Sequence, residues 1–147
     1  MRKKKPPEGM YHFQDPIYWW DFCVVFGGDY THARRDWITY RRLGRADDAE
    51  YPLADARYTD SGSDSLIWFS PYALEPEAAI EFPGLVSHEC LHAVISVLSR
   101  KGIKPPRSSN DEHYTYYLEY LVNSVYTLYV KKYLRNLNVE KKGSLKF

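Results

Sequence analysis

The feature that most constrains this chain is a pair of histidines inside a helical pattern. The segment His88-Glu89-Cys90-Leu91-His92 has the spacing H-E-x-x-H. Apolar residues recur around it at helical intervals, at Leu85, Leu91, Val94, Ile95 and Leu98. The pattern predicts a helix that begins after Pro83-Gly84 and ends at Gly102. Residues four apart on a helix differ by about 40° in direction and about 6 Å along the axis, so both imidazoles are expected on one face.

A second, longer helical pattern follows. Ser109 and Glu112 have the S-x-x-E spacing of a capping box, which predicts the start of a helix. An apolar stripe then continues for about six turns of 3.6 residues. Its members are Leu118, Leu121, Val122, Val125, Leu128 and Tyr129. Three basic residues, Lys131, Lys132 and Arg135, favour the carboxyl end of this helix through its dipole.

The first half of the chain carries signals of a sheet. The run Tyr18–Phe26 is aromatic and β-branched and stops at Gly27-Gly28, which predicts a buried strand. Ser65–Ser70 predicts a second strand of the same sheet, closed by Pro71, because proline cannot donate a ladder hydrogen bond.

A helix is expected between these two strands. Asp29 or Thr31 can cap its start, it extends to about Arg42, and Gly44 ends it. Residues 45–64 are polar and rich in turn residues, so we expect a loop there with room for one short strand.

These elements predict one α+β domain over residues 16–138. The 147 residues of the chain suffice for a single hydrophobic core. Residues 1–15 are basic and proline-rich and residues 139–147 are polar and lysine-rich, so both ends are expected to be flexible. The expected architecture is a small sheet with one helix across it and a pair of helices, the first of which carries the histidines.

Charge and hydropathy narrow the classes of partner. The 20 Lys plus Arg nearly cancel the 19 Asp plus Glu, which argues against nucleic-acid or anionic-membrane binding. The pairs Arg34-Arg35 and Arg41-Arg42 are interpreted as a solvated helix face. No apolar run approaches the roughly 20 residues that span a bilayer, and no hydrophobic stretch follows the basic start as in a signal peptide.

Neither cysteine indicates a disulfide or a metal site. Cys23 and Cys90 belong to no C-x-x-C motif, so we expect a reduced, cytoplasmic environment and take Cys90 as a small core residue. His12 and His32 have no partners at ligand spacing and are interpreted as ordinary polar positions.

The histidine spacing favours a metal site. Two imidazoles from adjacent turns can share one ion, and a catalytic Zn²⁺ site takes three protein ligands and a water. Glu112, which follows His92 by 20 positions, is the candidate third ligand, with Asp111 and His113 as alternatives. Glu89 is suited to hold the water and to take its proton.

Simpler interpretations exist for the same residues. His88 and His92 are also compatible with an exposed polar helix face, and Glu112 with a capping box that needs no metal. Candidates for stabilising a developing oxyanion are Tyr116, Tyr117 and His113. A polar stripe of Tyr116, Glu119 and Asn123 can line a cleft and orient the histidines.

His88–His92, followed by a glutamate on the next helix, resembles the gluzincin branch of the zincin metallopeptidases. Over roughly the last two-thirds of the chain, the resemblance is to small zincin-like proteins encoded by tailed bacteriophages. The segments that carry it are Ser65–Pro71, Ser87–Val94, Asp111-Glu112, Tyr116–Leu118 and Tyr120-Leu121.

The resemblance implies a minimal zinc-peptidase fold. His88, His92 and Glu112 would be the zinc ligands and Glu89 the general base and acid. One position departs from the pattern: Tyr116 stands where the thermolysin group has a carboxylate that supports a ligand histidine.

The sequence therefore predicts a zinc-dependent hydrolase that acts on a peptide or protein substrate. Leu66–Ser70, as a sheet edge, would bind an extended peptide by strand addition. The alternative is a non-catalytic, zinc-stabilised interaction protein of phage type, whose zinc site would be closed instead of open. A third possibility, nucleic-acid binding through the basic ends, predicts an affinity that falls steeply with salt. The expected location is the cytoplasm, which is the host's if a phage encodes the chain.

Overall fold

The structure is a computed structural model that describes residues 4–107 and 111–144, with side chains described as far as Arg135. The described residues form four strands: β1 (Met10–Gln14), β2 (Asp21–Phe26), β3 (Ala56–Ser61) and β4 (Asp64–Phe69). They also form three helices: α1 (Tyr30–Arg41), α2 (Phe82–Arg100) and α3 (Asp111–Ser144). Two short 3₁₀ turns, Tyr72–Leu74 and Pro76–Ala78, join β4 to α2. The predicted α+β class is confirmed.

The four strands form one mixed sheet in the order β1-β2-β4-β3. The two inner strands, β2 and β4, are parallel, and each edge strand is antiparallel to its neighbour. The expectation that Leu66–Ser70 forms a sheet edge is wrong, because β4 is paired on both sides. The edge on that side of the sheet is β3, which lies in the segment predicted to be mostly loop.

Both faces of the sheet are covered. Side chains alternate along β2, so that Phe22 and Val24 face α2 and α3, whereas Cys23 faces α1. On β4 the same alternation turns Ile67 toward α2 and α3, and Leu66 toward α1. Three layers result, with α1 on one side of the sheet and the α2–α3 pair on the other.

The helix α1 begins and ends close to where the sequence predicts. The Asp29 side chain accepts a hydrogen bond from the backbone N–H of His32, which caps the first turn. Arg42 ends the helix in the left-handed conformation, with φ of 57°, two residues before the predicted Gly44.

α2 and α3 pack against each other in opposite directions. The ring of Phe82, at the start of α2, lies 4.7 Å from the ring of Tyr129, far along α3. The core side of α2 carries small and branched side chains: Val86, Cys90, Ala93, Val94, Val97 and Leu98. Leu91 and Ile95, which belong to the apolar pattern that predicts this helix, are 44% and 50% exposed, because they share the opposite face with the histidines.

Parts of both segments predicted to be flexible form regular secondary structure. Residues Met10–Gln14, inside the supposedly flexible segment 1–15, form β1 and pair with β2 in five antiparallel steps. At the other end, the backbone of α3 is helical to Ser144, within the predicted flexible tail. Lys132 donates to the carbonyl of Phe26 instead of acting at the helix end.

The predicted capping box of α3 lies only partly within the described residues. Ser109, one half of the predicted capping box, lies outside them, and Glu112 is in the first turn of α3.

Within residues 4–107 and 111–144, no helix combines the length and the apolar character needed to cross a membrane.

Candidate metal centre

His88 and His92 meet on the outer side of α2. Both side chains are exposed, and the two Nε2 atoms lie 3.1 Å apart. The imidazole rings are nearly perpendicular, with an interplanar angle of 79°. The predicted projection of both imidazoles from one helix face is confirmed.

This separation suits a shared cation. With Zn–N bonds of about 2.0–2.1 Å and tetrahedral angles, two imidazole nitrogens on one zinc ion lie about 3.3 Å apart. The observed 3.1 Å agrees within the range of such sites. Two ring nitrogens that face each other need either a proton between them or a cation beside them, because each otherwise presents a lone pair to the other.

Glu89 lies inward from the histidine pair. It is 6% exposed, and its carboxylate accepts a hydrogen bond from the backbone N–H of Tyr58 on β3. Burial raises the pKa of Glu89, whereas the positive charges of His88, His92 and Arg57 act in the opposite direction. A buried carboxylate with a raised pKa, held beside the two imidazoles, has the properties of a general base.

Tyr58 ties the edge strand to the histidine helix, and the sequence gives no sign of this role. Its ring stacks against that of His92, with centroids 6.3 Å apart and planes 9° from parallel. Its hydroxyl donates to Asp60, at 3.0 Å, and lies 2.9 Å from the Ser65 hydroxyl. Tyr58 therefore contacts Glu89, the predicted base, through its backbone and His92, a predicted ligand, through its ring.

Asp60 extends this connection along α2. Its carboxylate accepts hydrogen bonds from Ser96 and, at 2.6 Å, from the guanidinium of Arg100. Arg100 also donates to the carbonyl of Gly62, at 2.7 Å, in the turn between β3 and β4. These hydrogen bonds join the second half of α2 to the hairpin formed by β3 and β4. They hold the helix face that carries His88 and His92 in place relative to β3.

The third ligand stays a prediction. Glu112 and its alternatives, Asp111 and His113, lie exposed in the first turn of α3. Among the residues that the structure describes, no group of three or more His, Cys, Asp or Glu side chains is close enough to hold an ion. In the described part of the chain, His88 and His92 lie together, and no third ligand is placed beside them.

The predicted oxyanion donors are in different environments. Tyr116 is 66% exposed and His113 is exposed, so both side chains are accessible on α3. Tyr117 is 2% exposed and its hydroxyl donates to Asp15, at 3.2 Å, in the core. Burial and the Asp15 charge raise the pKa of Tyr117. Tyr117 is therefore not an oxyanion donor, because its hydroxyl is committed elsewhere.

Two other predictions have clear outcomes. Asn123, expected in the polar stripe beside the histidines, instead lines a cavity of about 450 Å³ with Phe13 of β1. Cys90 is fully buried, and burial raises the pKa of its thiol to about 12, so its interpretation as a core residue is confirmed.

A second cluster of polar side chains is centred on His12 of β1, and no sequence pattern predicts it. His12 Nε2 lies 2.7 Å from the carboxylate of Asp21, and Nδ1 lies 3.0 Å from the hydroxyl of Tyr40. Arg41 contacts Asp21 at 3.0 Å and also pairs with Asp64. We call these five residues the His12 cluster. His12 is nine positions from Asp21 and 28 from Tyr40 in sequence, so no local spacing indicates the cluster.

The arginines of α1 pair with aspartates of this chain. Arg34 contacts Asp47 at 3.0 Å, and Arg35 lies 3.6 Å from Asp48. Both arginines are therefore paired with carboxylates of the loop that follows α1.

Comparison with known proteins adds no relative. No family model matches the chain, and neither a curated protein nor a solved structure matches it.

Proposed function

We propose that this protein is a zinc-dependent hydrolase that cleaves peptide bonds. The observation that carries the proposal is the approach of two imidazole nitrogens to 3.1 Å, beside a buried glutamate that packs against the sheet edge. The two histidines would hold the ion, with Glu112 as the preferred third ligand. The zincin-like fold suggested by the sequence resemblance belongs to the same proposal.

Each residue has a distinct chemical task. Bound Zn²⁺ would supply Lewis acidity, lowering the pKa of a water ligand toward about 7 and polarising the substrate carbonyl. Glu89 would take the proton of the attacking water and return it to the leaving nitrogen. Its burial favours this exchange, because a raised carboxyl pKa brings proton affinity closer to the working pH.

The free edge of β3 offers a place for the substrate. β3 is the last strand of the sheet and pairs with β4 on one side only among the described residues. An extended peptide can add to such an edge through main-chain hydrogen bonds. A peptide in that position would pass the histidine pair, so the substrate strand belongs beside β3 and not beside β4.

The proposal is tested with a randomised peptide library and zinc-loaded protein between pH 6 and 9. We expect cleavage that a chelator abolishes and added zinc restores. A Glu89→Gln variant should keep its zinc and lose cleavage by about 10²–10⁴-fold, the usual contribution of a general base. Glu81→Gln, an exposed glutamate at the start of the same helix, is the matched control and should cleave normally.

Two results would count against a hydrolase. Wild-type protein that binds zinc but cleaves nothing across this pH range would support the zinc-stabilised interaction protein instead. Equal cleavage by wild type and Glu89→Gln would remove the assigned base and, with it, the proposed mechanism.

A further inference from the structure

The edge strand β3 carries an arginine on the side opposite to Tyr58. Successive side chains of a strand point to opposite faces of the sheet, so Arg57 lies on the α1 face. Its guanidinium carbon is 5.2 Å from the ring centre of Tyr30 and 5.7 Å from that of Tyr51. The two aromatic rings hold the guanidinium in place beside the sheet edge.

Arg57 differs from Arg34, Arg41 and Arg100 in its charge balance. Arg34, Arg41 and Arg100 each form an ion pair with an aspartate at 3.0 Å or less. In the described part of the chain, no such pair is found for Arg57, which donates to the backbone carbonyl of Pro52. Its Nε is buried and has no hydrogen-bond partner among the described residues. The guanidinium is therefore a preorganised cation that forms no direct ion pair with a carboxylate among the described residues, although it acts on Glu89 at longer range.

A cavity of about 460 Å³ opens beside this guanidinium. Its walls include Tyr51, Trp68 and Tyr72, which give it an aromatic character. Two carboxylates also line it: Asp29 is engaged as the cap of α1, and Asp55 is an exposed residue. The partly buried charge of the cavity is thus the Arg57 guanidinium, which suits a carboxylate ligand.

The position of the cavity relates it to the proposed substrate strand. Directly opposed side chains on one face of neighbouring strands have Cβ atoms about 4.5–5.5 Å apart. A peptide residue opposite Arg57 would therefore place its side chain at the cavity. The next peptide residue would lie opposite Tyr58, with its side chain on the face of Glu89 and the histidine pair.

We propose that the Arg57 cavity is a specificity subsite for an acidic side chain, one residue away from the peptide bond presented to the histidine pair. This inference rests on the proposed function, because it assumes that the peptide adds to β3. It predicts a preference for substrates with aspartate or glutamate at that one position.

Binding is measured with three peptide libraries that carry Glu, Gln or Lys at a fixed central position and are otherwise randomised. Zinc-loaded Glu89→Gln protein is used, so that the peptides are not consumed. We expect the Glu library to bind about tenfold more tightly than the Gln library, as one charge-assisted hydrogen bond allows, and the Lys library to bind most weakly.

Variants at Arg57 identify the source of the preference. In the Glu89→Gln background, Arg57→Gln should bind the Glu and Gln libraries equally, and Arg57→Lys should retain part of the preference because it keeps the charge. Arg34→Gln is the matched control: its guanidinium also lies over the Tyr51 ring, at 5.4 Å, but is paired with Asp47. The control should keep the full preference.

The outcomes separate this inference from the proposed function. Equal binding of the three libraries, or a preference that persists in Arg57→Gln, overturns the acidic subsite. Cleavage by wild type is measured independently: turnover without acidic preference retains the hydrolase and refutes the subsite. Acidic preference without turnover retains the subsite and refutes the hydrolase.

Discussion

One histidine cluster is centred on the edge strand β1 and the other lies on α2, beside the opposite edge strand β3, and the two differ in how their ring nitrogens are used. In the His12 cluster, both nitrogens of His12 have a partner in the fold, the Asp21 carboxylate and the Tyr40 hydroxyl. In the pair formed by His88 and His92, the Nε2 atoms face each other. The first cluster is complete with protein groups alone, whereas the second is arranged around a position that a cation can occupy.

A structural histidine, such as His12, therefore differs from a candidate metal ligand, such as His88 or His92, in a recognisable way. Burial alone does not separate them, because the ligand pair is the more exposed of the two. The difference lies in the neighbours. The nitrogens of His12 face oxygen atoms of the fold, at 2.7 and 3.0 Å, whereas the Nε2 atoms of His88 and His92 face each other at 3.1 Å and need a shared proton or a cation. The His88–His92 pair should therefore bind a metal ion, and the His12 cluster should not.

The largest effect is expected at Glu112, the proposed third zinc ligand. Removing a carboxylate ligand in Glu112→Ala should weaken zinc binding by at least about 100-fold, since two imidazoles leave a tetrahedral ion undersupplied. Zinc affinity is measured by competition with a chromophoric chelator.

Asp111→Ala and His113→Ala are the controls for this assignment. Both residues are exposed in the same turn of α3 and should retain zinc normally. Full retention by Glu112→Ala, with loss in one of the two controls, would move the third ligand to that neighbour.

The His12 cluster should contribute to stability and not to metal binding. Asp21→Asn removes the charge that faces both His12 and Arg41, so we expect the free energy of unfolding to fall by about 2 kcal/mol. Urea denaturation measures the loss. Asp48→Asn, at an exposed pair with Arg35, should change stability by less than about 0.5 kcal/mol.

A change of zinc affinity in Asp21→Asn would contradict the division between the clusters. Both variants should bind zinc as wild type does, because neither residue contacts the histidine pair.

A smaller effect on zinc is expected at Tyr58, which stacks on His92. Tyr58→Leu removes the aromatic plane that orients the imidazole and should weaken zinc binding by about tenfold, the lower range for groups that support a metal ligand. Tyr58→Phe keeps the ring and should restore the wild-type affinity.

The ring proton resonances of His92 in zinc-free protein provide a second measurement. They should shift in Tyr58→Leu and much less in Tyr58→Phe. Identical His92 spectra in wild type and Tyr58→Leu would show that the stacked arrangement does not exist in solution.

The smallest effect concerns the buried thiol of Cys90, on the face of α2 opposite to the histidines. Burial raises its pKa from 9.0 to about 12. Between these values the unfolded chain loses the thiol proton and the folded chain keeps it. Stability should therefore be complete below about pH 9 and fall as the pH rises toward 12, by at most about 1.4 kcal/mol per pH unit for this group.

Cys90→Ala tests this sign by urea denaturation at pH 8 and pH 10. The variant should lose less stability than wild type between the two pH values. An equal loss in both proteins would show that Cys90 contributes nothing to the alkaline decline.

The elements that the sequence predicts well have local signals. The helix α2 begins at Phe82, two residues before the predicted boundary at Gly84, with Pro83 in its first turn, and it ends at Arg100, two residues before Gly102. The helix α1 begins after its cap at Asp29. β4 is marked by an apolar run that proline closes. The histidine pair belongs to the same class, because residues four apart on a helix meet whatever the rest of the fold does.

The elements that the sequence predicts poorly depend on distant partners. Both edge strands, β1 and β3, are short and half-polar, and pairing with a neighbouring strand defines them. Tyr58 and Arg57 could not be recognised as site residues without β3. Leu91 and Ile95 satisfy helical periodicity, but the packing of α3 selects the opposite face of α2 as the core.

The metal site at His88 and His92 is tested most directly by the zinc content of wild type, His88→Ala and His12→Ala after dialysis against a metal buffer. The contrast between the two clusters predicts one zinc per chain in wild type and in His12→Ala, and almost none in His88→Ala. Wild-type protein without zinc, or His88→Ala with a full complement, would contradict the claim that the facing imidazoles form a metal site.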